Sequence, residues 1–271
     1  MSSSSWNEAL AEQYRAFRYK FAERSLEGRA IVVAGGTGGL GAATVALLAR
    51  EGARVVVGYR SNRERAEALH RAIQEQFGVS IALVAGDIAD PAVRRAYRDA
   101  VAATGAPLAG AIIFPGAPAR AKLEELERDE LVASLDVNYI GPILLARDLG
   151  TAMQGGSGGN LVLISTMQAV APFESSLNYA APKAALVHAA RILARQWSRV
   201  RVNVVAPGAT VAGMAESSVR AGKYDSFVSS GVIPRFGKPE DVAAAVRFFL
   251  EPDLYVTGQV LVVDGGLTLR R

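Results

Sequence analysis

Residues 30–41 read AIVVAGGTGGLG, and the reading of this stretch decides the fold. Ala30 to Val33 predict a short buried strand, because β-branched side chains cluster there without a polar face between them. Glycines follow at 35, 36, 38, 39 and 41, and the Ala/Leu-rich run from Ala42 to Arg50 predicts a helix. Strand, glycine turn and helix in that order suit a diphosphate, which needs close backbone approach and unpaired N–H groups at a helix start. The same run also serves as a plain tight connection. It is not a P-loop, since no Lys-Ser/Thr pair follows.

Arg54 to Gly58, RVVVG, predict a second strand. A classical dinucleotide fold sets its ribose-reading acid at or just after the end of that strand. Here the chain has Tyr59, Arg60, Ser61, Asn62 and Arg63. A missing carboxylate beside Arg60 and Arg63 suits a 2′-phosphate and favours NADP(H), with NAD(H) the alternative; the arginines equally suit the solvated start of a helix.

At 271 residues the chain has length for one large α/β core. A hydrophobic content of 50% with 27 glycines fits a parallel sheet covered on both faces. The absence of cysteine excludes disulfides, thiolate nucleophiles and Cys-built metal sites. His70 and His188 lie far apart and outside any metal-binding spacing, so no metal is expected. The net charge of +4 is dispersed, with no basic run interleaved with aromatics, which argues against a nucleic-acid surface. No apolar run approaches the roughly 18 residues of a membrane span, and MSSSSWNEALAEQYR predicts no targeting segment. A cytoplasmic protein without membrane contact is expected.

Residues 1–27 read as a helical extension: Leu10, Tyr14, Phe17 and Phe21 recur at helical spacing over about residues 6 to 24. Residues 28–271 read as one domain. Ser61 is the expected cap of a helix reaching Phe77, Val79 to Ala85 the third strand, and Asp90-Pro91 the next helix start. Ala109 to Phe114 form the fourth strand, Lys122 to Val132 a charged helix, and Asp136 to Leu149 an apolar helix holding Asn138. Leu161 to Ile164, Val200 to Val205 and Gln259 to Val263 complete seven strands, with helices over Asn178 to Gln196 and Pro239 to Leu250. The β-α alternation predicts a Rossmann-type, doubly wound parallel sheet between helical layers. Residues 209–236, rich in Gly, Ser and Met, read as a flap.

Tyr179 and Lys183, four apart, share one helix face. A neighbouring ammonium favours phenolate and lowers the tyrosine toward neutral-pH proton exchange. Thr166 at the mouth of the sheet offers a hydroxyl to a carbonyl, and Asp87 stands at a strand end where ligands of open sheets bind.

Over about residues 28 to 267 the sequence resembles the classical short-chain dehydrogenase/reductases, especially those similar to 3-oxoacyl-carrier-protein reductases. Gly35, Gly39 and Gly41 stand at that family's cofactor glycines, Tyr179 and Lys183 match its Tyr-x-x-x-Lys, and Asn138 matches the asparagine of its catalytic tetrad. The resemblance implies NADP(H) or NAD(H) held by Gly35, Thr37, Gly38, Gly39, Leu40 and Gly41, with Tyr59, Arg60, Ser61, Asp87 and Ile88 around the adenosine. Pro115, Gly116, Tyr179, Lys183, Pro207, Gly208 and Thr210 would then complete the cofactor contacts. It further implies that Tyr179 donates a proton to a ketone and Thr166 orients the carbonyl. Lys183 would hold the ribose, and Asn138 would position a water. A homotetramer or homodimer acting on a small carbonyl or alcohol substrate is also implied.

The chain departs from that pattern. Thr166 replaces the family's serine, with Ser165 just before it; Ile113-Phe114-Pro115-Gly116 replace Asn-Asn-Ala-Gly; and Gly38 stands where relatives that prefer NADP carry a basic residue. Ala212 stands where a threonine is usual after Pro207-Gly208, with Thr210 two residues earlier. Besides a carbonyl reductase, two other functions are open: a nucleotide-binding protein acting through partner interaction, and an NAD-linked alcohol dehydrogenase.

Overall fold

The computed structural model describes residues 24–119, 123–173, 176–213, 216–222 and 224–270. The helix expected over residues 6 to 24 lies outside these apart from Arg24, as do Met214 and Glu174.

Seven parallel strands form one sheet in the order β3-β2-β1-β4-β5-β6-β7. They are β1 Ala30–Ala34, β2 Arg54–Tyr59, β3 Ala82–Ala85, β4 Leu108–Ile113, β5 Gly159–Ile164, β6 Val200–Pro207 and β7 Val260–Val263. Alternation along β1 splits its side chains between two helical layers. Ile31 and Val33 pack with Val45 and Leu48 of helix Gly39–Arg50 and with Val242, Val246 and Phe249 of helix Pro239–Phe249. Ala30, Val32 and Ala34 face the other way. They pack with Tyr97 of helix Pro91–Ala103, Leu145 and Leu149 of helix Gly141–Gly155, and Leu186 of helix Leu177–Gln196. The result is the expected three-layer sandwich, and its chain order reverses between β1 and β4, which opens a crevice at their carboxyl ends.

Local departures have local causes. Asn62, not Ser61, caps helix Arg63–Phe77, its side chain accepting from Arg65 N at 2.9 Å. The third strand starts at Ala82 rather than Val79, because only Ala82 to Ala85 lie in register with Val56 to Tyr59. Of the helix expected over Lys122 to Val132, Lys122 lies outside the described residues; from Leu123 there is a single turn at Leu123–Glu125, and the helix proper, Arg128–Leu135, starts after Glu127. It runs straight into a wide π turn, Asp136–Ile140, and then into Gly141–Gly155. Pro142 has no N–H to continue regular bonding, and the Gly141 N–H reaches back five residues to the Asp136 carbonyl. Residues 209–236 hold two short helices, Glu216–Arg220 and Asp225–Ser229. Phe227, Val228 and Phe236 pack on a small core of Met167, Ile233 and Leu267. Among the described residues no helix is long and apolar enough to cross a membrane, and no group of three or more acidic or histidine side chains could hold a metal ion.

Candidate active site

The glycine turn closes β1 onto the first helix. Gly35 adopts φ +72°, and a Cβ there would lie 3.1 Å from Phe114 Cβ and 3.3 Å from Pro115 Cδ. The apolar replacement of the fourth-strand motif therefore packs directly on the turn. Gly38 precedes the helix without a side-chain cap, and first-turn amides have no intrahelical acceptor. A Cβ on Gly39 would meet Gly213 N at 2.9 Å and Ala212 Cβ at 3.0 Å, so the loop after β6 lies against the turn. Thr37, Gly38 and Leu40 keep some exposure, whereas Gly41 is buried against Gly35 and Gly36.

Beside this turn, Tyr59 ends the second strand with its carbonyl bonded to Gly86 N at 2.9 Å, and Arg60 and Ser61 are exposed. Arg63 is committed to Glu67 at 2.6 Å, which leaves Arg60 as the arginine without an ion pair at this strand end among the described residues. Asp87 is exposed; its Oδ1 accepts from Ala89 N at 2.9 Å. Ile88 is buried beneath it, in reach of Gly141.

The ends of β4 and β5 and helix Leu177–Gln196 bring Asn138, Thr166, Tyr179 and Lys183 into one neighbourhood. Lys183 is 2% exposed, and its Nζ donates to Pro115 O and Ile164 O, both at 3.1 Å. Burial draws its ammonium down to about 8. Gly116 closes over it: a Cβ there would be 2.8 Å from both Lys183 Nζ and Asn138 Oδ1. Asn138 is fully buried in the π turn, with its amide bonded both ways to Ala117, N–H to Oδ1 at 3.1 Å and Nδ2 to O at 3.1 Å. The sequence predicts a Tyr179 phenol lowered by Lys183. In the structure burial pushes it up to about 12, a hydrogen bond with Thr166 pulling the other way, while Lys183 spends two donors on carbonyls.

The two adjacent hydroxyls divide cleanly. Ser165 Oγ donates to the Lys183 carbonyl at 2.9 Å inside the helix contact, and Thr166 bonds Tyr179 and accepts from Gln168 N at 3.3 Å. Pro207 is buried, and Gly208 sits where a Cβ would strike Asp264 Cβ at 2.6 Å. Thr210 differs from the rest: it is 2% exposed and its hydroxyl donates to Gly208 O at 3.2 Å, so its side chain braces the turn. Sequence reading passed over Ser134, which is buried and accepts from Asn138 Nδ2 at 3.1 Å. Its position one helical turn before Asn138 was the available signal.

Residues 34–268 match a family model described as enoyl-(acyl carrier protein) reductase. A 3β-hydroxysteroid dehydrogenase of Eggerthella lenta is 32% identical over 257 residues, 90% of this chain and 95% of that protein. A D-threitol dehydrogenase of Mycolicibacterium smegmatis is 29% identical over 248 residues, 90% of this chain and 95% of its own length. Among solved structures, a doubly substituted short-chain dehydrogenase/reductase of Serratia marcescens superposes with a TM-score of 0.81 at 31% identity, covering 90% of this chain and 99% of that one. These matches point to a family as a whole and not to 3-oxoacyl-carrier-protein reductases in particular.

Proposed function

Because this chain belongs to the short-chain dehydrogenase/reductase family, whose members are NAD(P)-dependent oxidoreductases of carbonyl and alcohol groups, we propose that it reduces a ketone to a secondary alcohol, with Tyr179 supplying the proton. The observation that carries this reading is the buried Lys183 ammonium, anchored on Pro115 O and Ile164 O, on the same helix face as a phenol bonded to Thr166.

The groove fits a dinucleotide. Uncapped first-turn amides after Gly38 suit a diphosphate, and the buried Lys183 ammonium keeps one donor for a ribose hydroxyl. Gly35 to Gly41 would hold the diphosphate, Asp87 and Ile88 the adenine edge, and the exposed Arg60 a 2′-phosphate, which favours NADP(H). A nicotinamide bound there supplies or takes up hydride.

The remaining chemistry falls to the chain. Tyr179, raised to about 12, stays protonated at neutral pH and can give its proton to a carbonyl oxygen. Thr166 would hold that oxygen beside the phenol. Two of the three Lys183 donors are spent, leaving one for a ribose hydroxyl. Asn138 would steady the Gly116-Ala117 segment and a water leading outward. The apolar flap core of Phe227, Val228 and Phe236 supports a substrate with a hydrophobic body. Residues 28–271 would act as one catalytic domain with residues 209–236 as its flap and residues 1–27 as an extension. Exposed Ile140, Leu177 and Ile192 support a homo-oligomer, and a cysteine-free chain suits the cytoplasm.

The test is turnover of a ketone panel with NADPH and NADH by the full chain. Tyr179→Phe should lower kcat by about 10²–10⁴-fold while nucleotide Kd is kept. Turnover that survives Tyr179→Phe, or no turnover of any ketone or alcohol, would overturn the reading.

A further inference from the structure

In a regular helix the Asn178 carbonyl would accept from the N–H of the residue four further on, and that residue is Pro182. Proline has no N–H, and its ring crowds the carbonyl one turn back. The break falls inside the Tyr179 to Lys183 interval, where the relative height of the phenol and the ammonium is set.

A donor for that carbonyl comes from another helix. Ser134, 4% exposed in Arg128–Leu135, donates its Oγ hydrogen to Asn178 O. Ser134 Oγ also accepts from Asn138 Nδ2 at 3.1 Å, and Asn138 in turn holds the Ala117 backbone that follows Gly116. Asn178 is tied a second time, its Nδ2 donating to Glu130 O at 3.5 Å. One hydroxyl thus joins the Asn138 turn to the peptide that carries Tyr179.

We propose that Ser134 is a positioning residue, which supplies the hydrogen bond Pro182 withholds and so sets Tyr179 at its working height beside Lys183; its consequence for turnover rests on Tyr179 being the proton donor. Removing the hydroxyl takes from the Asn178 carbonyl the donor that stands in for the missing Pro182 N–H and leaves one Asn138 N–H without its partner, while an alanine at 182 would offer that N–H from within the helix. Ser134 and Pro182 are therefore coupled: each makes sense only with the other.

The test is a double-substitution cycle of Ser134→Ala and Pro182→Ala, with Ser134→Thr as the variant that keeps a hydroxyl. In urea unfolding, Ser134→Ala should shift the folding equilibrium about tenfold toward the unfolded chain, and clearly less in the Pro182→Ala background. In NADPH-dependent ketone reduction, Ser134→Ala should lower kcat between about tenfold and a hundredfold at unchanged Kd for NADPH. The Pro182→Ala background should return much of that loss, and Ser134→Thr should keep most of the rate. Parent-like turnover by Ser134→Ala, or equal losses in both backgrounds, would overturn the proposal. If the parent chain reduces no ketone, the reductase reading fails on its own, and the unfolding cycle still decides: coupling supports the Ser134–Pro182 link and its absence overturns it.

Discussion

Replacing Thr166 by valine keeps the side chain's shape and removes its hydroxyl alone, which makes it the sharpest probe of the site. That hydroxyl bonds the Tyr179 phenol and accepts from Gln168 N at 3.3 Å, where it caps the turn Met167–Ala169. As Tyr179 gives up its proton in the transition state the phenol oxygen takes on charge, and a hydrogen bond to a charged group is worth about 1.5–3 kcal/mol. At roughly 1.4 kcal/mol per factor of ten, Thr166→Val should lower kcat/KM by between about tenfold and 150-fold. Because the Thr166 bond opposes the upward push of burial, the phenol should also rise further. Ser165→Ala is the matched control. Its hydroxyl is 3% exposed and bonded to Lys183 O at 2.9 Å, so its loss should cost about 1 kcal/mol of stability and little turnover. Steady-state reduction of a ketone with NADPH, with nucleotide Kd from fluorescence and stability from urea unfolding, separates the two. Turnover silenced by Ser165→Ala and preserved in Thr166→Val would refute this division of roles.

Other expectations can be checked alongside. Lys183 is held below its usual 10.5, at about 8, so between these values the unfolded chain binds the extra proton and stability should rise with pH. Below about 8 the burial cost is fully present. A melting-temperature series in which Lys183→Met lacks this rise supports the assignment, and parallel curves for the two proteins contradict it. Gly39→Ala drives a Cβ to within 2.9 Å of Gly213 N and should weaken NADPH binding about tenfold or more; an unchanged Kd by titration would sink the idea. Gly58→Ala places a Cβ onto the buried Tyr97 phenol and should cost about 1–3 kcal/mol by urea unfolding, relieved in a Tyr97→Leu background. Arg60→Asp should raise the NADPH Kd relative to that for NADH, and an equal effect on both would remove the 2′-phosphate role.

How much of this was legible in advance differs by element. The β1 strand and its glycines could be read because burial on both faces admits only apolar side chains, and tight turns admit only glycine. The other strands were visible as short apolar runs, even β7, which has no fully buried residue, with edges displaced by a few residues where pairing register, and not composition, ends a strand. The helix expected over 122 to 132 starts later than its composition suggests because charged helix formers fill the whole stretch, while the actual start depends on the Glu127 N–H donating to the Glu130 carboxylate. The phenol of Tyr179 is expected below its ordinary value from the sequence and lies above it in the structure: a lysine four residues away states proximity along a helix, whereas the burial of Lys183 and the partial burial of Tyr179 are properties of the packed layers.

With Asn138 added by the family resemblance, the amino-acid order alone determined the architecture, the glycine turn, the candidates Thr166, Tyr179 and Lys183, and the missing acid after the second strand. Each is a local matter of residue type and spacing. Only the folded chain decided which hydroxyl faces Tyr179, that Thr210 turns inward to Gly208, that Arg63 is committed to Glu67, and that Ser134 serves the carbonyl freed by Pro182. Those choices depend on which donor meets which acceptor across helices and strand ends far apart in sequence. Hydrogen bonds are short and directional, so spacing along the chain carries no record of them until the layers pack.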